Sequence, residues 1–251
     1  MKVAKVLAFY FGNRRLYPHN KEGVIQLLKR QIESHKKIQP GVPTDLILVN
    51  HDTGDVEVRE LLSQYEGMEI NGGVVRILHR PRISFDLSMG SFKYAFYVLQ
   101  NEYDYWFFCE DDVETIKDNV VIDMITLLNS DSRIGFVAAC DYRNYNIHHY
   151  ITEDGFIRGT GVDAPHAHGG IGLTSTKIIR DVSQKISSYL STPNIDSYIN
   201  GVNSTTLLTE SYENENTHEI NFTNDFIKAG YELKSFSDGT NFLHIRENIT
   251  L

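Results

Sequence analysis

Cysteine is nearly absent from this sequence. Two occur in 251 residues, Cys109 and Cys140, too few for a disulfide framework or a zinc cage built from cysteine alone. Each closes an apolar run, where a free thiol behaves as a small buried hydrophobe. Long apolar runs are missing as well. The longest, such as Val6–Phe11 and Tyr105–Cys109, are strand-sized, well short of the roughly 18–20 residues that span a bilayer. Nor is there an excess of basic charge. With 24 Lys and Arg against 33 Asp and Glu the formal net charge is −9, which disfavours a binder of nucleic acid polymer, a task that needs cations to displace counterions. The opening MKVAKVLAFYF is apolar, but Gly12-Asn13-Arg14-Arg15 follows it in place of a small-residue cleavage site, so it reads as a first strand and not a signal peptide. A reducing cytoplasm is the expected location, with peripheral membrane association left open.

What remains is the make-up of an ordinary globular protein, 41% hydrophobic and 23% charged, which excludes disorder, collagen and coiled coil. No repeat, low-complexity tract or linker divides the chain, so one domain is expected. Strand and helix patterns alternate through the first half. Val3–Phe11, Thr44–Asn50, Gly73–Leu78, Tyr105–Cys109 and Ile134–Cys140 read as strands. Between them, Asn20 precedes a helix with apolar Val24, Leu27, Leu28 and Ile32, and helices follow over Val56–Tyr65, Ser88–Gln100 and Asn119–Leu128. This rhythm predicts a parallel sheet covered by helices on both faces, with ligands at the carboxyl ends of the strands. The polar clusters fall at those ends: Asn13-Arg14-Arg15, Asn50-His51-Asp52, Arg80-Pro81-Arg82 and Glu110-Asp111-Asp112. Beyond Asp141 the rhythm breaks. Tyr142–Arg158 reads as a hairpin or long loop, Ile171–Thr174 as a strand, Thr176–Leu190 and His218–Ala229 as helices, and Tyr231–Phe236 as a last strand.

The most informative segment is Tyr105–Val113, where a strongly apolar strand delivers Glu110-Asp111-Asp112 at its end. Adjacent carboxylates in a partly dry site repel strongly, and so they take a cation or shift their pKa values. A divalent metal shared with a substrate diphosphate satisfies them. Alternatively the triplet caps a following helix, where acidic residues suit the dipole.

At this triplet the chain resembles the GT-A fold glycosyltransferases, whose Asp-x-Asp or Glu-Asp-Asp motif ends a strand of the nucleotide-binding half. Two further segments are similar to that family in the same order. Pro165-His166-Ala167-His168-Gly169-Gly170-Ile171 resembles its glycine-rich stretch near sugar and acceptor. His218-Glu219 opening a helix that ends in Lys228-Ala229-Gly230-Tyr231 resembles its inverting acceptor-side motif. The resemblance implies a single α/β domain of GT-A type, a Rossmann-like mixed sheet flanked by helices, with residues 1–141 binding the donor and 142–251 the acceptor. It implies a metal-dependent transferase that moves a sugar from a nucleoside-diphosphate sugar to an acceptor hydroxyl of a glycan or other molecule, with inversion.

By the same resemblance Asp112, Asp111 and His244 hold Mn²⁺ or Mg²⁺, and Glu219 is the catalytic base. The donor contacts are Tyr10, Phe11, Asn50, His51, Asp52, Arg82, Lys93 and Glu110, and the acceptor or sugar contacts are His168, Gly169 and Gly170. Bacterial surface polysaccharide synthesis is the expected setting. Two alternatives stay open: a sugar nucleotidyltransferase, disfavoured by the single glycine in Gly12-Asn13-Arg14-Arg15, and a non-catalytic nucleotide- or glycan-binding protein of the same fold.

Overall fold

The computed structural model describes residues 1–11, 21–52, 54–81, 87–139, 149–151, 156–159, 167, 170–186, 215–236 and 241–244. Strand β1 (Val3–Phe9) is buried at all seven positions, so both of its faces need cover. That cover comes from the intervening helices. In chain order the elements are β1, α1 (Lys21–Lys37), β2 (Thr44–Asp52), α2 (Val56–Ser63), β3 (Glu69–Ile70), β4 (Gly73–Pro81), α3 (Leu87–Leu99), β5 (Tyr105–Glu110), β6 (Val113–Thr115), α4 (Val120–Ser130) and β7 (Ile134–Ala138). The second half adds β8 (His149–Ile151), β9 (Ile157–Gly159), β10 (Gly172–Ser175), α5 (Thr176–Lys185), α6 (Glu215–Lys228), β11 (Glu232–Ser235) and β12 (Phe242–His244).

Eight strands form one sheet in the order β11-β7-β10-β5-β1-β2-β4-β3. The β1–β2, β1–β5 and β2–β4 pairs are parallel, as the alternating rhythm predicts. Strand β10 is the one expected over Ile171–Thr174, but the rhythm does not predict its direction, which is antiparallel to both β5 and β7. Sequence periodicity reports which side chains are buried and carries no information on strand direction. Two small sheets stand apart, β12 with β6 and β8 with β9. The β8–β9 pair is the hairpin anticipated within 142–158, whereas β6 and β12 are too short to leave a period in the sequence.

The sheet divides the core into two layers. On one face Leu7, Phe9, Phe107 and Cys109 meet Val24, Leu28 and Ile32 of α1, Val58 and Leu62 of α2, and Met124 and Leu128 of α4. On the other, Val6, Ala8, Trp106 and Phe108 meet Phe92 and Phe96 of α3, Ile179 and Val182 of α5, and Phe222 and Phe226 of α6. Alternation along each strand distributes these side chains. Strands β10 and β11, from the second half of the chain, complete the sheet begun by the first. Among the described residues no helix is long and apolar enough to cross a membrane.

Two basic residues are buried in the first layer. Lys5 is buried, with its ammonium donating to Thr115 Oγ1 at 3.2 Å and lying over the Phe107 ring, and burial lowers its pKa. His35 on α1 is buried beside it. Desolvation, followed by the Lys5 charge, depresses its pKa from 6.5 to about 3, against a hydrogen bond with the Thr44 backbone. The folded protein therefore holds His35 neutral, while the unfolded chain protonates it near 6.5. Between those values the unfolded state binds the extra proton, so stability falls as the pH drops, by roughly 1.4 kcal/mol per unit. From pH 7 to pH 4.5 the wild type is expected to lose about 2–3 kcal/mol more than His35→Gln in urea unfolding. Equal losses in the two proteins would place the acid sensitivity elsewhere.

Candidate active site

The order β4-β2-β1-β5 makes the chain build outward from β1 through β2 to β4, then return to the opposite side of β1 with β5. The strand order reverses between β1 and β5. In an open α/β sheet the crevice beyond the carboxyl ends at such a reversal is where ligands bind, because the loops there diverge to opposite faces. Ala8 of β1 pairs with Glu110 of β5, so the residues leaving β1 and the carboxylate triplet leaving β5 border the same crevice.

The triplet is held from both faces. Trp106, Phe107, Phe108 and Cys109 are fully buried and anchor the strand up to the turn. Burial, partly countered by Lys5 and reinforced by the three carboxylates, pushes the Cys109 thiol up to about 12. The thiol stays protonated and donates to the Val113 carbonyl at 3.3 Å. On the α3 face, Ser88 Oγ donates to Glu110 Oε1 at 2.9 Å. On the α1 face, Gln31 Nε2 donates to the carbonyls of Asp111 and Val113 at 3.0 and 2.8 Å. Ser34 Oγ continues the ladder to the Thr115 carbonyl at 3.1 Å, and Arg30 pairs with Glu114 at 2.8 Å. Asp111 and Asp112 are themselves buried. The turn leads into strand β6, and α4 begins only after Asn119. The triplet therefore caps no helix, which removes the alternative reading of these acids.

Beside the triplet, Tyr10 leaves β1 with its ring tilted against His51, centroids 5.2 Å apart. His51 is buried and pairs in register with Arg80 of β4. Asn50, also buried, lies 3.2 Å from His79 Nδ1 through its side-chain nitrogen. Phe11 is buried against Phe9, their rings stacked at 6.0 Å. Asp52 ends β2, with its side chain outside the described residues, as Arg82 is altogether. Its neighbour Arg80 is buried with its guanidinium against the first turn of α3, where a Cβ on Gly90 would lie 2.2 Å from it. Lys93 is buried one turn further along α3. Sequence reasoning took Arg82 and passed over Arg80, His79, Ser88 and Gln31. Gln31 had left a signal, since it occupies a core-stripe position seven residues after Val24.

The second half supplies a wall on the α3 face. Phe222 of α6 packs edge-on against Phe108 of β5, centroids 5.5 Å apart, and tilted against Phe92 of α3 at 6.3 Å. Glu219 lies in the N-terminal half of α6, three residues before Phe222 and four before buried Thr223. Its side chain is outside the described residues. His168 and Gly169 are outside them entirely. Gly170 is buried between α3 and α6, and the Ala167 amide donates to Thr223 Oγ1 at 3.2 Å. His244 of β12 pairs in register with Val113, the residue after Asp112, which brings its backbone beside the triplet. Its side chain is likewise not described.

No family model and no curated protein matches the sequence. Among solved structures the chain is similar to S. aureus TarS, with a TM-score of 0.54 and 10% identity over 96% of this chain and 36% of that one. A CMP:2-keto-3-deoxy-manno-octonic acid synthetase complexed with CTP aligns at a TM-score of 0.49 and 12% identity, over 93% of this chain and 88% of that one. The fold is a GT-A and Rossmann-like mixed α/β sheet flanked by helices. At such identity the likeness to TarS is one of fold, and this chain spans 36% of the TarS length.

Gly170 offers a direct test of how the two halves meet. Its φ is +60°, and an added Cβ would lie 2.7 Å from Met89 Cε and 3.2 Å from Phe222 Cδ1. Gly170→Ala combines left-handed strain with overpacking and is expected to destabilise by about 1–3 kcal/mol. Gly67→Ala, where φ is +75° in open space, carries the strain alone and serves as the comparison. Denaturant midpoints that fall equally in both would remove the packing term.

Proposed function

We propose that this chain is a glycosyltransferase that binds a nucleoside-diphosphate sugar in the β1–β5 crevice and transfers the sugar, with inversion, to a hydroxyl of a glycan or other acceptor. The observation that carries the reading is the placement of Glu110-Asp111-Asp112 at the point where the strand order reverses, pinned from both faces of the sheet. The GT-A-like fold, shared with S. aureus TarS, supports it.

The residues present fit a divalent cation shared with substrate. Among the described residues no three His, Cys, Asp or Glu side chains form a closed metal cage, while adjacent carboxylate oxygens are hard donors of the kind that hold Mn²⁺ or Mg²⁺ together with phosphate and water. Asp112 and Asp111 would hold the ion, with His244 the further candidate on β12. When bound, the cation offsets the charge of the departing diphosphate.

The protein's own groups account for the rest. Tyr10, His51, Asn50 and Asp52 border the crevice on the β2 side and suit a nucleobase and its sugar. Arg80, Lys93 and the first turn of α3 concentrate positive potential beside Glu110, where a diphosphate gains most. Glu219 accepts the proton of the acceptor hydroxyl. The oxygen then attacks the anomeric carbon from the side opposite the diphosphate, the carbon–oxygen bond to the diphosphate breaks, and its electron pair leaves with the nucleoside diphosphate. A cytoplasmic role in bacterial surface polysaccharide assembly goes with this proposal.

Two variants test it. A calorimetric screen of UDP, GDP, CDP and ADP with and without Mn²⁺ is expected to find one metal-dependent ligand, and Asp112→Asn to abolish that binding with the fold intact; unchanged affinity in the variant would refute the metal assignment. Glu219→Gln is expected to keep donor and Mn²⁺ binding while transfer falls by about two to four orders of magnitude. Near wild-type turnover would move the base elsewhere and remove the support for inversion.

A further inference from the structure

Gln31 is a polar residue where α1 should be apolar. It follows Val24, Leu27 and Leu28 on the stripe that faces the sheet, and it is buried to 1% exposure. Its amide nitrogen reaches two carbonyls, those of Asp111 and Val113, which flank Asp112 on either side. Only the NH₂ end of the amide can meet two carbonyl oxygens, so its orientation is determined. The opposite end, Oε1, is buried and has no hydrogen-bond partner among the described residues. A buried acceptor left in this way is unfavourable, and an apolar residue of the same length would avoid it. The side chain is therefore poorly suited to packing and well suited to holding one dipeptide of backbone.

We propose that Gln31 is a positioning residue for the metal-binding turn. By fixing the peptide unit before Asp112 and the one after Val113, it sets the direction in which the Asp112 carboxylate leaves the chain. Without it, the Val113 carbonyl keeps the Cys109 thiol, a weak donor, and the mutual repulsion of three adjacent carboxylates meets less resistance from the backbone of the turn. The neighbouring Ser34 bond to Thr115 lies on β6 beyond the turn, so it steadies the strand without orienting Asp112. This inference rests on the reading of Asp112 as a metal ligand.

The experiment titrates Mn²⁺ alone, followed by electron paramagnetic resonance of the free ion, into the wild type, Gln31→Met, Ser34→Ala and Asp112→Asn. Gln31→Met keeps length and volume and removes both donors. Its Mn²⁺ affinity is expected to fall about 10–100-fold, as when an outer partner of a metal ligand is lost, while Ser34→Ala binds as the wild type does. Gln31→Asn, with the amide one methylene short, is the second variant and is expected to fall by less. In the metal-free proteins, amide hydrogen exchange over residues 110–114 is expected to quicken in Gln31→Met and not in Ser34→Ala. Wild-type affinity in Gln31→Met, or equal losses in Gln31→Met and Ser34→Ala, would overturn the positioning role. A wild type that binds no better than Asp112→Asn would instead bring down the metal assignment itself, and the positioning role with it.

Discussion

Three carboxylates in succession repel one another, and the surroundings of residues 110–112 are arranged to hold them in one place regardless. The repulsion is strongest where water is scarce, and Asp111 and Asp112 are buried. The opposing forces come from separate elements. The apolar run Trp106–Cys109 locks β5 between two helical layers. Ser88 engages Glu110 from α3, and Gln31 engages the backbone from α1. A fourth acid, Glu114, is drawn outward by Arg30 and so adds little to the crowding at the turn.

The two faces of the sheet divide the labour. The α1 face carries the groups that hold backbone: Gln31, Ser34, Lys5 and Thr115 form a buried polar seam along β6. The α3 face carries the charged groups Arg80, Lys93 and Glu110, with α6 arriving on the same side through Phe222. Period-two alternation makes this division possible. Phe107 and Cys109 point to the seam, and Phe108 and Glu110 to the crevice wall.

His35 and Lys5 show a related compromise. A lysine and a histidine sit side by side in an apolar layer; burial lowers the pKa of both, and the Lys5 charge lowers that of His35 further. His35 lies beside the polar seam through Lys5, so its protonation in acid acts next to the region that orders the site.

The alternation of strand and helix, the two-faced burial of the central strands and the carboxylate triplet at the end of the fourth long strand are local properties. Period and composition within a window of a few residues report them, so the sequence by itself determined the α/β class and the place of Glu110-Asp111-Asp112. Strand direction and order are not local. Nothing in Gly172–Ser175 announces that it runs antiparallel between β5 and β7, and Val113–Thr115 and Phe242–His244 are too short to show a period until they pair. Residues that act across the chain stayed hidden for the same reason. Gln31 and Asp111 are 80 residues apart, as Ser88 and Glu110 are 22 apart, and Arg80 looks no different from Arg82 until α3 packs against it. Only the tertiary structure decided those partners, because a hydrogen bond is a matter of ångströms in space and a sequence records only distance along the chain.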